Sequence, residues 1–385
     1  MRVGTGVCAG VDPLAGATSA ARAAADALDD EPADLAVVFA SGAHLAAPEA
    51  TLEAIANELS PGTMIGCGAG GVLGDGRELE SGTAVAVWAA SLGDGSARSF
   101  HATVIESEDG GVLEGLPEPS ADAGLIMLSD PYTFPTDAVL AGLARDAPSV
   151  PVLGGLSSAR TLGGSAALFL DRETHEEGVV GVCLEGVEML PCVSQGAAPF
   201  GREMTITEAD GNVIVELAGK PAVQTIEEVI AELPIAERAL VAGGLLIGIV
   251  IDGGKPDYQQ GDFLVRGVLG ADANTGAVAV GTAVSAGQVV RLHARDARSA
   301  DEDLRRELEL RARAIGSERA AGALLFSCNG RGQSMFGACD HDATMIHEIL
   351  GGAPTAGLFA AGEIGPVGGR SFLHTFTATV AVFPR

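Results

Sequence analysis

Chemistry in this chain would have to come from a few short clusters. One is Ser327-Cys328-Asn329-Gly330-Arg331-Gly332, read as a loop leaving a buried strand. A cysteine at a strand end becomes a nucleophile when a base lies near it, because the thiolate is the reactive form. His341, downstream of Cys328, is the histidine that could act as that base. Arg331 carries a planar guanidinium suited to a carboxylate or phosphate. The structural alternative is a buried, inert thiol beside an arginine that only holds the fold. A second cluster, Cys339-Asp340-His341-Asp342 with His347, invites a metal reading. Ligands on one helix face sit three or four residues apart, as in H-E-x-x-H. His341 and His347 are six apart, so no metal is expected. Asp342, near a helix start, is expected to act as cap or dipole partner. Glu363 follows a buried strand between glycines and could receive a ligand ammonium or pair with Arg331. Ser157 and Ser158 follow Gly154 and Gly155 at another strand end. His374 could line the same mouth as Glu363.

These residues need a frame, and the frame repeats. After an Ala-rich helix near Pro13–Leu28, a buried strand ends at Ser41 and a helix opens at Pro48. A short strand then runs into the glycines of IGCGAGG, and GTAVAVWAAS closes the unit. The order returns with a strand ending at Ser129, the helix TDAVLAGLARDA, the strand PVLGGLSS and the closing strand GVVGVCLEG. It returns again with a strand ending at Ser327, the helix HDATMIHEILGG, the strand AGLFAAGEIG and the closing strand FTATVAVF. Ser41 and Gly66 are 25 residues apart, as are Ser129 and Gly154; Ser327 and Gly362 are 35 apart, so the third copy is expected to carry an insertion. In open α/β sheets ligands bind beyond the carboxyl ends of strands. That is where the clusters above fall.

Between the second and third copies the pattern changes. GREMTITEADGNVIVELAG predicts a hairpin turning at Asp210-Gly211. A helix follows over PAVQTIEEVIAEL, then a run of strands. The apolar stretch Ala239–Ile251 fits a buried strand. SADEDLRRELELRARAIG predicts a helix with a capping box at Ser299 and Glu302, and ion pairs Glu302–Arg306, Glu307–Arg311 and Glu309–Arg313 on a solvated face. The expected fold is α/β: mixed β-sheets with helices packed on them, built from repeated β-α-β-β units in two similar halves. The Pro/Gly-rich stretch near 191–200 suggests domains at 1–195 and 196–385.

The chain has 385 residues, 51 acidic against 23 basic, for a net charge of −28. Phosphate backbones and anionic membranes attract Lys and Arg, so no nucleic acid and no membrane is expected as partner. No run reaches spanning length, no signal core opens the chain, and six scattered cysteines form no C-x-x-C. A cytoplasmic location is expected. G-x-x-x-x-G-K-[ST] and G-x-S-x-G are absent. GCGAGG half-matches the dinucleotide fingerprint, but a closing strand follows it where a helix should. No cofactor is expected.

The stretches SCNGRGQSMFG, HD at 341–342 and AGLFAAGEIGPVGG resemble the signature of the FIST domain's C-terminal half. GREMTITEADGNVIVELAGKPA resembles the start of that half, and IGCGAGG and VLGGLSS are similar to the N-terminal half. The likeness spans nearly the whole chain. It implies a sensory module for a small ligand, with amino acids the suggested class, that signals through a separate partner protein. The positions matching the motif are Cys328, Asn329, Gly330, Arg331, Gly332, Gly337, His341, Asp342, Gly362, Glu363, Gly365 and Pro366. Two other readings stand beside it. One is a cysteine-dependent enzyme acting on a small carboxylate or amide, with Cys328 and His341 as its catalytic pair. The other is an interaction scaffold without a ligand.

Overall fold

A computed structural model describes residues 1–107, 110–316 and 319–385. The chain divides into two compact units: Met1–Val193 with Leu304–Leu373 and Ala378–Arg385, and Ser194–Asp303 with His374–Thr377. The last fifth of the chain returns to the first unit.

The first unit opens with β1 (Arg2–Ala9) and α1 (Pro13–Leu28). Pro13 stands at the first turn of α1, and Asp12 caps it by accepting from the Ala15 amide. Next come β2 (Leu35–Ser41), α2 (Pro48–Leu59), β3 (Thr63–Gly68), the short hairpin β4 (Val72–Gly74) and β5 (Arg77–Leu79), and β6 (Ala84–Ser91). The hairpin β7 (Ser96–Ser107) and β8 (Gly110–Glu114) leads to the second copy. That copy is β9 (Gly124–Ser129), α3 (Thr136–Asp146), β10 (Val152–Leu156), the hairpin β11 (Leu168–Leu170) and β12 (Glu173–His175), and β13 (Val179–Glu185). Strand β14 (Leu190–Gln195) comes next.

The middle of the chain forms β15 (Ala197–Asp210), β16 (Val213–Leu217), β17 (Lys220–Pro221), α4 (Ala222–Glu232), α5 (Ile235–Val241), β18 (Leu245–Val250), β19 (Phe263–Ala271), β20 (Val278–Val280) and β21 (Val289–Arg295). Helix α6 (Ala297–Ile315) leads out of it. The third copy is β22 (Ala320–Cys328), α7 (Gln333–Phe336), α8 (His341–Ile349), β23 (Thr355–Ala360), the hairpin β24 (Glu363–Val367) and β25 (Arg370–His374), and β26 (Thr377–Pro384).

The three copies share one topology. In each, the first two strands are parallel across a helical crossover, and the closing strand runs antiparallel to the first. The fold is therefore α/β with mixed sheets. The small hairpins do not stay at home. β4 of the first copy pairs with β23 of the third, β24 of the third with β10 of the second, and β11 of the second with β3 of the first. Each copy lends a hairpin to another sheet, and the circuit closes.

Each second strand has a glycine where the borrowed hairpin arrives. Gly66 lies opposite Phe169, Gly154 opposite Ile364 and Gly357 opposite Leu73. A Cβ there would lie 2.1 Å from the Val38 carbonyl oxygen, 1.9 Å from that of Met127 and 2.0 Å from that of Leu325, respectively. The counterpart of Gly66 and Gly154 is thus Gly357, not the expected Gly362. The third copy's insertion is correspondingly shorter, and α7 lies within it.

Alternation along the strands divides the core. On β2, Leu35, Val37 and Phe39 face a core shared with residues of the other two sheets, while Ala36, Val38 and Ala40 face α1 and α2. Phe39 meets Phe326 edge-on at 6.2 Å, and Trp88 meets Phe383 at 5.3 Å. Each such buried side chain contributes about 1.5–3 kcal/mol. Small helix-facing residues let the Ala-rich helices lie close on the sheet.

In the second unit, β15, β21, β18, β19, β20 and β16 pair antiparallel in that order, and β16 pairs back to β15. The ring closes on itself and removes its own sheet edges. The hairpin forms as expected, with Gly211 and Asn212 between its strands, one residue later than the expected Asp210-Gly211. Two expectations are corrected. The stretch Ala239–Ile251 is not one strand: its first residues belong to α5, which ends before Gly243 and Gly244, and the strand begins at Leu245. Ser299 does not cap α6, which starts earlier, at Ala297; its hydroxyl donates to Gln260 Oε1 instead. On α6 the pairs Arg311–Glu307 and Arg313–Glu309 form, and Glu302 pairs with Arg298. Among the described residues no helix is long and apolar enough to cross a membrane.

Candidate functional site

The first strand of every copy reaches a fully buried serine: Ser41, Ser129 and Ser327. Beyond that serine the three copies diverge. In the first copy His44 is buried, with Nδ1 3.0 Å from Thr51 Oγ1. Burial lowers this imidazole to about 4, so it is neutral at pH 7. In the second copy Asp130 accepts from the amides of Tyr132 and Thr133 and from Arg160 Nη2 at 3.1 Å. The Arg160 guanidinium lies 4.6 Å from the centre of the Tyr132 ring. The third copy carries the residues the sequence singled out.

The loops after the second strands interlock. The Ser157 hydroxyl donates to the Gly68 carbonyl at 2.7 Å. The Leu156 amide donates to Gly362, and the Phe359 amide to Gly71. Ser158 Oγ donates to the Phe359 carbonyl and accepts from the Gly70 amide, so it touches all three copies at once. Gly70, Asn329 and Ala361 are exposed around this junction.

Arg331, two residues after Asn329, has a side chain that is 0% exposed. Its Nε and Nη2 donate to the two oxygens of Asp342 at 2.6 and 2.9 Å, a bidentate pair. Ser327 Oγ adds a donor to Asp342 at 3.2 Å. Burial opposes charge on both groups, but each partner outweighs it: Asp342 is held well below the usual carboxylate range, and Arg331 is raised. Cys328 and Glu363, both buried, sit close enough to act on Arg331 electrostatically. The Gly330 amide points at Cys328 Sγ, 3.4 Å away. Among the described residues Arg331 Nη1, also buried, has no hydrogen-bond partner. His341 turns Nδ1 to Asp342 at 2.9 Å and stacks on Phe336, centroids 3.5 Å apart.

The structure therefore gathers Cys328, Arg331, His341, Asp342 and Glu363 around one guanidinium. Asp342 is Arg331's ion-pair partner within the first turn of α8, while the acceptor at the α8 amides is Glu78, which sequence reasoning missed. Glu78 Oε1 accepts from the amides of Asp342 and Ala343 at 2.8 and 3.0 Å, and Glu80 Oε1 accepts from Gln333 at 2.7 Å. Glu78 lies on the borrowed hairpin and Glu80 just past its end. Ser157 and Ser158 bind backbone in the loop junction. Gly365 is a packing position: a Cβ there would press on Val193 and Thr379. Asn329 stands exposed, its Oδ1 near Gly70.

Comparison with known proteins gives the family. Residues 34–220 match the FIST N domain and residues 197–366 the FIST C domain. An uncharacterized protein of Mycobacterium bovis is 43% identical over 384 residues, covering 100% of this chain and 99% of its own. An uncharacterized protein of Mycobacterium tuberculosis is 42% identical over 384 residues, covering both chains fully. FIST domains are associated with sensing in signal transduction. With the two domain models together matching residues 34–366, the chain belongs to the FIST family.

Proposed function

We propose that this chain is a sensory protein that binds a small carboxylate or zwitterion, amino acids among them, at the junction of Asn329, Arg331 and Glu363. One observation carries the reading: Arg331 is fully buried, and Nη1 has no hydrogen-bond partner among the described residues. A buried donor without an acceptor is costly, and a ligand carboxylate would supply one. Glu363, acting on the same guanidinium, is placed to favour a ligand's ammonium group. Asn329, two residues before Arg331, is exposed. The bound state would then be passed to a separate partner protein.

The test is a thermal-shift series against amino acids, small carboxylates and nucleotides. A hundredfold excess over Kd stabilises the fold by about 2.7 kcal/mol. Arg331→Lys keeps a cation beside Asp342 but removes Nη1, so the variant should fold and lose the shift. A flat response across the carboxylates and amino acids, on folded protein, would sink this reading.

A second reading has its own support. A guanidinium and a backbone amide lie beside Cys328, the kind of surroundings a cysteine-dependent enzyme would use. Alkylation mapped by mass spectrometry decides it. Cys328 must react faster at neutral pH than Cys339, which is exposed. Slower reaction ends the enzyme reading.

A further inference from the structure

The hairpin that the first copy lends to the third does more than extend a sheet. It grips the segment 332–344, which carries Phe336, His341 and Asp342. Glu78 Oε1 accepts the first amides of α8, and the Glu78 amide donates back to Asp340 Oδ1 at 2.6 Å. The Glu80 carboxylate accepts from Gln333 and packs so close to Gly332 that a Cβ there would lie 2.8 Å from it. The Thr344 hydroxyl donates to the Gly76 carbonyl at 3.4 Å. At the centre of this grip, Glu78 is only 9% exposed, and Oε2 is buried with no hydrogen-bond partner among the described residues.

We propose that Glu78 is a proton-gated latch, which when protonated holds segment 332–344 against the hairpin and when ionised loosens it. Oε1 can accept the two amides in either state, so the proton belongs on Oε2. Ionisation puts a second negative charge beside Asp342 in a site from which water is excluded. The groups around Glu78 carry both signs, and Asp342 is the charged one that acts on it most strongly. Its own hairpin carries Asp75, Arg77 and Glu80; the α8 side brings Asp340, His341, Asp342 and His347; and the preceding loop brings Arg331, whose charge Asp342 already engages. Burial first, then Asp342, pushes the Glu78 carboxyl up to about 7. A carboxyl whose value is raised in the closed state binds its proton more tightly there. The latch is therefore fully effective below the ordinary value of 4.5 and weakens as pH rises through about 7. A consequence for ligand affinity would rest on the site proposed above; the latch itself needs no ligand.

Hydrogen exchange on the full chain without ligand tests it, followed by mass spectrometry and corrected for the intrinsic pH dependence of exchange. Between about pH 6 and about pH 8, exchange in 333–345 should quicken by about tenfold, with a midpoint near 7, while α4 stays constant. In Glu78→Gln the amide oxygen still accepts but no charge can form, so exchange should be slow at both pH values. Glu80→Gln, at an exposed position, should keep the wild-type pH response. A flat wild-type profile overturns the latch, as does a pH response that survives Glu78→Gln or vanishes in Glu80→Gln. If Glu78→Gln does not fold, the wild-type midpoint and Glu80→Gln still decide. Because no ligand is present, failure here leaves the binding proposal standing, and failure of the ligand screen leaves the latch standing.

Discussion

The first and third copies solve the same local problem in opposite ways. Each ends its first strand on a buried serine and must then fill the space before the crossover helix with something polar. The first copy uses neutral groups: His44 pairs with Thr51 and is kept uncharged by burial. The third uses charges: Arg331 and Asp342, both buried, neutralise each other through two hydrogen bonds. Neutral pairs are cheap to bury and offer little to an ionic ligand. A buried ion pair is costly to desolvate and is weak evidence for stability. Its retention at a strand end, with one guanidinium nitrogen uncommitted, is easier to understand as function. The second copy lies between, with Asp130 buried and Arg160 about one-third exposed.

If that contrast is right, breaking one partner of the third copy's pair should have the largest effect. Asp342→Ala leaves a buried guanidinium uncompensated and should lower stability by about 3–5 kcal/mol, measured by urea unfolding. Thr51→Ala in the first copy, which strips His44 of a neutral partner, should cost only about 1–2 kcal/mol. Equal losses would break the comparison.

What the copies share is tested by their glycines. Gly357→Ala sets a Cβ against the Leu325 carbonyl, and neither backbone can yield without parting β22 from β23. A loss of about 3 kcal/mol is expected. Gly362→Ala, at the position the sequence spacing favoured, meets only the ends of Leu156 and Leu373. It should cost less by the same measurement.

That pair of glycines marks where the sequence stops being readable. The strands, the crossover helices and the repetition were legible because they are local: proline at helix starts, apolar runs of strand length, glycine after them. So was the grouping of Cys328, Arg331 and Glu363 at strand ends of one copy. Asp75-Gly76 between short apolar runs even signals the hairpin β4–β5. Its destination was not legible, because Glu78 reaches an amide 264 residues away and only the closed exchange of hairpins brings them together. Of the two roles expected of Asp342, the place in the first turn of α8 fits a dipole partner, but it does not cap the helix. A side chain near a helix start reads as a cap until another strand is seen to supply one. The inserted ring was readable as strands and a hairpin, but the pairing of β16 back to β15 that closes it is a tertiary fact.

Acid should separate the two copies further. The folded value of His44 lies below the ordinary 6.5, so the unfolded chain takes up its proton first. Stability from this group is intact above about 6.5 and is lost as pH falls towards 4, by about 2–3 kcal/mol. Arg331–Asp342 should not respond in that range, because Asp342 is held far below it. His293, buried in the second unit and also lowered to about 4, contributes in the same sense. The comparison is therefore made on His44→Gln against wild type, by thermal melting from pH 7 to pH 4. A smaller acid loss in His44→Gln is the expected outcome, and an unchanged one would mean His44 is charged in the fold.

The smallest effect belongs to the second copy's ion pair. Arg160 is about one-third exposed, and Asp130 keeps its hydrogen bonds from Tyr132 and Thr133 when the arginine is gone. Solvent screens what remains, so Arg160→Met should cost no more than about 1 kcal/mol. If it matched Asp342→Ala instead, the second copy would carry the same commitment as the third. The uncommitted nitrogen of Arg331 would then be the feature that still distinguished them, and the case for a ligand would rest on it alone.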